Sequence, residues 1–304
     1  MAGHSGHSGH SGHSGHAGSS GGGEGSFLPD RVDLPFVTLP DPRSTSKPPG
    51  RLAAMRIDPD GKYPDRCWSA EWAAWHTLSD FAGTNWRATV TVKDWRNWPR
   101  PGSTSTSTDV NWEIAQLVLA ATDERADAMG EILAQDGEFL TEFMALLNAT
   151  PRSHPATWRL MHIANLVGLH VVMQFKEAYK RRRPSQVCPA LRPPVAVPGH
   201  ASYPSGHATQ ANLIARCMSE CIKTNMSNQQ AAGDMGAALA ALATRIGRNR
   251  EIAGLHYPSD SWAGEQLALD TFNFLNKSGS LPKQGSTPLS RFANVLAEAR
   301  QEWK

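Results

Sequence analysis

Residues 155–180 read PATWRLMHIANLVGLHVVMQFKEAYK, and this stretch decides the fold class. Two prolines, Pro151 and Pro155, separate it from the preceding sequence. Pro155 suits the first turn of a helix, because proline has no N–H group to lose there. The apolar residues that follow continue a helical pattern that starts near residue 110. The sequence therefore predicts a long helix from Ala156 to Lys180.

The sequence on both sides of this stretch is also helical in character. Before it, Trp112–Ala121 and Met129–Leu147 place apolar residues three and four positions apart. Further helices are predicted at about 207–223, 229–247, 258–275 and 290–303. Strand signal is slight, with one brief strand expected at Thr89–Val92. The pattern predicts an all-α helical bundle.

Composition suggests three segments along the chain. Residues 1–26 contain a His-Ser-Gly repeat without apolar side chains that could form a core, so we interpret them as a tag or low-complexity tail. Residues 27–110 combine a proline-rich extended arm, a short tryptophan-containing helix at Cys67–Phe81 and a Ser/Thr linker. We expect residues 111–304 to form the helical catalytic domain.

Charge and composition exclude several classes of protein. The chain has 30 Lys and Arg against 28 Asp and Glu, and this balance argues against a protein that coats nucleic acid. No run approaches the roughly 18–20 apolar residues of a membrane span, so we expect a soluble protein. Without a visible signal peptide, a cytoplasmic location and a periplasmic or secreted one both stay open. Four cysteines are too few for a disulfide scaffold, and Cys217 and Cys221 are predicted to be buried in the core.

Lys176 and Arg183 are the first residues that suggest a site. On one continuous helix they lie two turns apart and share a face, so both cations can converge on one anion. Pro184 would end that helix. The simpler alternative is that 180–183, with sequence KRRR, forms a solvated basic surface.

The second motif is Pro204-Ser205-Gly206-His207, directly before a predicted helix. A Ser-Gly pair at a helix N-terminus offers a hydroxyl, an accessible backbone N–H and the positive end of the helix dipole. These groups can cradle an oxyanion, with His207 beside it as an acid or base. Alone, the motif is also compatible with an ordinary turn.

The third motif consists of Arg250, His256 and Asp260. Arg250 adds a third cation, and Asp260 can orient the ring of His256, which then acts as a nucleophile or ligand. Pro258 should place His256 in a loop and Asp260 at the start of the next helix. The simpler alternative is a surface His-Asp pair.

Together, the motifs Lys176-x6-Arg183-Pro184, Pro204-Ser205-Gly206-His207 and Arg250-x5-His256-x3-Asp260 resemble one superfamily signature. That superfamily comprises type 2 phosphatidic acid phosphatases (PAP2), bacterial class A acid phosphatases and vanadium-dependent haloperoxidases. The resemblance implies the all-α bundle of these enzymes. It does not extend over residues 1–150, and Asn249 stands where the phosphatases usually have serine, a position expected to help only a loop.

The resemblance also implies roles for the residues. Lys176, Arg183, Ser205, Gly206 and Arg250 would bind the oxygens of phosphate or vanadate. In a phosphatase, which needs no cofactor, His256 would form a phosphohistidine, His207 would protonate the leaving alcohol, and Asp260 would hold the tautomer of His256. In a haloperoxidase, His256 would coordinate the vanadium of a vanadate cofactor, and His207 would assist peroxide binding and halide oxidation.

The sequence favours the haloperoxidase slightly. His200 resembles a histidine of algal bromoperoxidases, and residues 203–210 (YPSGHATQ) are similar to theirs. The substrates would be hydrogen peroxide with bromide or iodide. Against this, residues 256–260 (HYPSD) look like the phosphatase form, and the chain is short for a haloperoxidase. The alternative is therefore an acid phosphatase acting on phosphate monoesters.

Two functions of other classes stay open. The basic residues at 180–183 could bind nucleic acid or an acidic partner, although the charge balance disfavours nucleic acid. The histidines of the N-terminal repeat could bind metal ions; they are His4, His7, His10, His13 and His16. The sequence also leaves room for a homodimer through apolar helix faces.

Overall fold

Ten α-helices and three short 3-10 helices make up the described part of the chain. In this computed structural model, the described residues are 61–64, 67–225, 228–279 and 289–304. No strand occurs among them, so the predicted all-α fold is confirmed. The predictions for the tail and for the proline-rich arm lie outside the described residues.

The helices are α1 (Ala70–Ala82), α2 (Val110–Asp123), α3 (Arg125–Gly137), α4 (Leu140–Leu146), α5 (Pro155–Tyr179), α6 (Pro184–Val187), α7 (Gly206–Asn225), α8 (Gln229–Ile252), α9 (Pro258–Gly279) and α10 (Ser290–Gln301). The 3-10 helices are Trp86–Ala88, Trp95–Asn97 and Pro189–Leu191.

Helices α5 and α7 lie at the centre of the bundle. Helix α5 packs against α1, α7 and α10, and α7 also packs against α8 and α9. Their apolar faces meet in one large core, which includes the predicted core residues Cys217 and Cys221. Because α5 and α7 carry Lys176 and His207, this core fixes the relative positions of two motifs.

The N-terminus of α5 is anchored by a residue from the end of the chain. The carboxylate of Glu302 accepts hydrogen bonds from the backbone N–H groups of Ala156 and Thr157, both at 2.8 Å, and from the Thr157 hydroxyl at 2.7 Å. A negative charge at this position also interacts favourably with the helix dipole. This contact joins the C-terminal segment to the central helix.

A close approach joins α9 to the first turn of α7. A Cβ atom added to Gly264 would lie 2.9 Å from both the Ala208 Cβ and the Ser205 carbonyl oxygen. Only glycine leaves room for this contact. In addition, the Ser205 N–H donates to the Asp260 carbonyl at 2.9 Å, so the second and third motifs are connected through their backbones.

Three local predictions were wrong. Thr89–Val92 forms no strand, and Val90 is instead buried in the helical core. The helix predicted at Met129–Leu147 is interrupted, because the Glu138 side chain accepts hydrogen bonds from the N–H groups of Leu140 and Thr141 and starts α4. Helix α8 continues to Ile252, so Arg250 lies on a helix.

Residues 61–64 and 67–68 belong to a separate compact unit. There the Tyr63 hydroxyl donates to the Cys67 carbonyl at 2.9 Å, and the rings of Tyr63 and Trp68 meet edge to face. Over the described ranges, no helix has both the length and the apolar character needed to cross a bilayer.

Candidate active site

Lys176 and Arg183 converge through a turn, and the prediction that one helix carries both was wrong. Helix α5 ends at Tyr179, and Lys180 adopts a left-handed conformation with φ 47°. The side chains from residue 180 onward alternate between exposed and buried: Lys180 and Arg182 are exposed, whereas Arg181 and Arg183 are buried. The interpretation of 180–183 as a fully solvated surface therefore fails for two of its four side chains.

Arg183 is buried without a carboxylate partner among the described residues. It donates to the Leu255 carbonyl at 3.0 Å and to the His200 carbonyl at 3.1 Å. It also donates to the Ala201 carbonyl at 3.4 Å, and it contacts two histidine rings, at 3.2 Å to His256 Nε2 and 3.1 Å to His200 Nδ1. Because burying a charge without an opposite charge is costly, this guanidinium favours the entry of an anion.

Lys176 is in a similar position. The residue is 2% exposed, and its ammonium group donates to the carbonyls of Ala201 at 2.9 Å and Ser202 at 2.7 Å. Burial, and then the positive charge of Arg183, lower the pKa of Lys176 well below its ordinary value. An anion beside both groups would compensate their charges.

Arg250 on α8 has a partly satisfied guanidinium. It donates to the Ile132 carbonyl at 2.6 Å and pairs with the half-exposed Asp136 at 3.2 Å. Its buried Nε atom has no hydrogen-bond partner in the described part of the chain. Buried N–H groups almost always find an acceptor, so Nε is available to a bound oxyanion.

His256 and Asp260 form the predicted pair, with His256 in a loop and Asp260 in the first turn of α9. His256 Nδ1 lies 3.1 Å from Asp260 Oδ2. A carboxylate only accepts, so Nδ1 carries the proton. Nε2 then has a free electron pair, which faces the guanidinium of Arg183. This is the tautomer that a nucleophilic or ligating Nε2 requires.

The second motif starts α7 as predicted. The Ser205 hydroxyl accepts from the Ala208 N–H at 3.3 Å, and Gly206 is the first residue of the helix. His207 Nε2 lies 2.9 Å from the Gln135 carbonyl, so Nε2 donates and Nδ1 is the basic nitrogen. His207 therefore lies in the first turn of α7, next to the backbone N–H groups at the N-terminus of this helix.

The histidines are held neutral. Burial, and then the charge of Arg250, lower the pKa of His207 to about 3. Burial and the charge of Lys176 lower the pKa of His200 to about 4. The pKa of His256 is likewise lowered by burial and by Arg183, although Asp260 opposes this. Two of these histidines, His256 and His200, contact Arg183 directly.

Several residues of this region were not predicted. Arg181 forms two buried ion pairs, one with Glu113 and one with Asp260, each at 2.7 Å. The Ser202 hydroxyl donates to Asp260 Oδ2 at 2.5 Å. Asn249, expected in a loop, lies on α8 and donates to Glu131 and Gln135, both at 2.9 Å. These contacts join residues that are far apart in the sequence, so the sequence alone does not reveal them.

The described residues contain no cluster of three or more His, Cys, Asp or Glu side chains suited to a metal ion. At Nε2 of His256, the neighbouring polar groups are the imidazole nitrogen itself and the guanidinium N–H groups of Arg183. Such a set fits an oxyanion, whether phosphate or vanadate, because both present oxygens that accept hydrogen bonds.

No protein-family model matches this chain, and neither does any curated protein. Among solved structures, the chain is similar to the crystal structure of the first transmembrane PAP2 type phosphatidylglycerolphosphate phosphatase from Bacillus subtilis. The two sequences are 15% identical, the TM-score is 0.36, and the match covers 72% of this chain and 99% of the other.

Proposed function

We propose that this protein is a hydrolase of phosphate monoesters that acts through a phosphohistidine at His256. One observation carries the proposal. The Nε2 electron pair of His256 faces the buried Arg183, which forms no ion pair with a carboxylate within the described residues, and Asp260 supports the opposite ring nitrogen. A phosphate would neutralise this charge where the nucleophile can reach it.

Each cation has a role in binding the ester. Arg183, Lys176 and the unpartnered Nε of Arg250 would hold the phosphoryl oxygens, on which charge gathers during transfer. The N-terminus of α7, at Gly206, would contribute backbone N–H groups and its dipole. Water molecules would have to reorganise to give the same stabilisation, whereas these groups are fixed by the fold.

The first chemical step forms a bond between Nε2 of His256 and phosphorus and breaks the ester P–O bond. The leaving alkoxide takes a proton from Nδ1 of His207. That proton is acquired when the substrate binds. Burial is the main cause of the low pKa of His207 and nearby cations lower it further, and the negative charge of the ester opposes both effects by stabilising the protonated ring. His256 becomes cationic in this step, and the ionised Asp260 beside Nδ1 stabilises it.

The second step reverses the proton transfer. Nδ1 of His207 takes a proton from water, and the oxygen of that water attacks phosphorus. The P–N bond breaks, its electron pair returns to Nε2, and inorganic phosphate leaves. Asp260 therefore stays ionised throughout, as the orienting carboxylate does in other nucleophilic triads.

The proposal is tested by hydrolysis of p-nitrophenyl phosphate. Hydrolysis by the purified protein is expected, with inhibition by inorganic phosphate. The His256→Ala variant should lose activity, whereas the exposed His76→Ala on α1 should keep it. Retained activity in His256→Ala would refute the site assignment, and an inactive wild-type protein would refute the monoesterase.

A vanadium-dependent haloperoxidase is the second candidate, and the contact of His200 Nδ1 with Arg183 at 3.1 Å favours it. Vanadate would be held by His256 Nε2 and by the same three cations. The cofactor, once bound, would supply the activation of hydrogen peroxide that halide oxidation requires. His200 would then act on halide or peroxide beside Arg183, a role that ester hydrolysis does not need.

Two measurements separate the candidates. Equilibrium dialysis compares the affinities for vanadate and phosphate in the wild-type protein and in His200→Ala. Bromination of a phenol then requires vanadate and hydrogen peroxide. A haloperoxidase predicts vanadate-dependent bromination that His200→Ala impairs more than it impairs ester hydrolysis. Ester turnover without bromination would exclude the haloperoxidase and support the phosphatase.

A further inference from the structure

Arg181 lies at the centre of a buried ion cluster behind the candidate nucleophile. Its Nη1 atom donates to Asp260 Oδ1 and to the Ser259 hydroxyl, both at 2.7 Å, and its Nη2 atom donates to Glu113 Oε2 at 2.7 Å. The side chains of Arg181, Glu113 and Asp260 are at most 3% exposed. Such short contacts in a dry environment define a single geometry.

Aromatic rings hold the guanidinium in place. The Arg181 guanidinium carbon lies 3.7 Å from the ring centre of Tyr257 and 4.7 Å from that of Trp95. Arginine forms both the forked hydrogen bonds and the stacking contacts, which lysine does not reproduce. The position and the orientation of Arg181 are thus both fixed.

Glu113 extends the cluster into the part of the chain that the sequence motifs do not cover. It lies in the first turn of α2, and its Oε1 atom accepts from the Ser259 N–H at 2.8 Å. Its other oxygen binds Arg181. The same carboxylate therefore holds both Arg181 and the first turn of α9, where Asp260 lies.

The inference rests on the proposed function, and it assigns a role to residues outside the motifs. We propose that Arg181, held by Glu113, is a positioning residue that fixes the Asp260 carboxylate and, through it, the tautomer and orientation of His256. Arg181 binds one carboxylate oxygen of Asp260, and His256, Ser202 and the Tyr257 N–H bind the other.

Arg181 differs from Arg183 in its charge balance. Two carboxylates neutralise it, whereas Arg183 has none among the described residues. Burial alone would raise the pKa of Asp260, but the charge of Arg181 and the hydrogen bond from His256 hold it below its usual value. Arg181 therefore acts on Asp260, and loss of Arg181 should affect turnover more than anion affinity.

The experiment compares the charge-balanced double variant Arg181→Met/Glu113→Gln with Glu113→Gln alone and with the exposed neighbour Arg182→Met. Turnover of p-nitrophenyl phosphate, inhibition by inorganic phosphate and the pH dependence of kcat/KM are measured for each. If the double variant does not fold, Arg181→Lys replaces it, since lysine keeps the charge without the fork.

The double variant is expected to lose about 10–100-fold in kcat, the range for residues that orient a functional histidine. Its inhibition constant for phosphate should stay within about twofold of wild type, which corresponds to a small change in binding free energy. The double variant loses one charge of each sign, but Arg181 contacts Asp260 directly and Glu113 does not. The nearer charge has the larger effect, so the pKa values of Asp260 and His256 should rise and the acid limb of kcat/KM should move to higher pH. Glu113→Gln removes a negative charge and should move that limb to lower pH.

A purely structural role predicts a different pattern. In that case both variants would lose activity in proportion to their thermal stability, and the acid limb would not move in opposite directions. That result would overturn the proposal, as would a loss of phosphate affinity as large as the loss of kcat. Arg182→Met should resemble wild type in every measurement.

A readout without turnover separates this proposal from the proposed function. The ¹⁵N chemical shifts of the His256 ring report its tautomer in the substrate-free protein. Wild type should show protonated Nδ1, and the double variant or Arg181→Lys should show a mixture of tautomers. An unchanged tautomer refutes the role of Arg181 even in an active enzyme, whereas a changed tautomer in a protein that hydrolyses no ester refutes only the monoesterase.

Discussion

Adding one methyl group at Gly264 tests whether the close approach of α7 and α9 sets the geometry of the site. In Gly264→Ala, the new Cβ would lie 2.9 Å from the Ala208 Cβ and from the Ser205 carbonyl oxygen, and 3.0 Å from the Thr209 nitrogen. Carbon atoms prefer separations of about 3.5–4.0 Å, so the helices must separate by roughly 0.6 Å or more. Two of these contacts are backbone atoms and have no rotamer that relieves the clash.

The expected loss follows from that displacement. Overpacking of this kind costs about 1–3 kcal/mol, which lowers Tm by roughly 2–12 °C in a domain of this size. The shift moves Ser205 and His207 relative to Asp260 and His256, because Ser205 and Asp260 share a backbone hydrogen bond. Misplacement approaching 1 Å can cost about 100-fold, so we expect kcat/KM for p-nitrophenyl phosphate to fall roughly 10–100-fold.

Gly130→Ala is the matched control. Gly130 lies within α3, and a Cβ there would meet no atom within 4 Å. This variant should gain up to about 1 kcal/mol from helix propensity and keep full activity. Both variants are compared by thermal unfolding and steady-state kinetics. Wild-type stability and kinetics in Gly264→Ala would refute the reasoning, since the helices would then have room that the structure does not show.

The remaining predictions concern protons and the anchoring of α5. Unfolded His200 and His207 titrate near pH 6.5, but in the folded protein their pKa values are about 4 and about 3. The unfolded state therefore binds more protons below about pH 6.5. As the pH falls from there, the free energy of unfolding should decrease by up to about 1.4 kcal/mol per pH unit for each histidine. Urea denaturation between pH 7 and 4.5 measures this slope, and an equal slope in His207→Gln would contradict the prediction. Sulfate stays a dianion at pH 6 and brings no proton of its own, so its binding should take up protons, which calorimetry in buffers of different ionisation enthalpy detects; binding without proton uptake would contradict the proposed charging of His207. Glu302→Gln should lose about 1–2 kcal/mol of stability with unchanged kinetics, whereas Glu298→Gln, which alters an exposed ion pair, should lose about 0–1 kcal/mol; equal losses would argue against the cap.

The fold class was predictable because helix period and proline positions are local properties of the sequence. Helix α5 spans Pro155–Tyr179, so it begins and ends one residue before the predicted bounds of Ala156 and Lys180. The strand at Thr89–Val92 was wrong because β-branched residues also suit burial, and Val90 serves the helical core. The break at Glu138 depends on a side chain that binds the backbone, which periodicity does not detect.

The site was predictable only where its residues belong to spaced motifs. The structure brings Arg183 to His256 and Asp260, and their roles stay predictions until activity is measured. Arg181 was hidden in a run of four basic residues, since the turn at Lys180 decides which of them face inward. Glu113 could not be identified, because its partners lie far along the chain.

The ion cluster and the cap on α5 also bear on when the protein can acquire its site during synthesis. The contact of Glu113 with Ser259 and that of Glu302 with Ala156 each join residues 146 positions apart. Long-range contacts of this kind form late, because the loop between them must close first. A nascent chain that ends before α9 already has Lys176, Arg183, Arg250 and His256, but it lacks Asp260, which orients His256. We therefore expect the site to be completed only as the final helices are added, and not on the ribosome-bound N-terminal half.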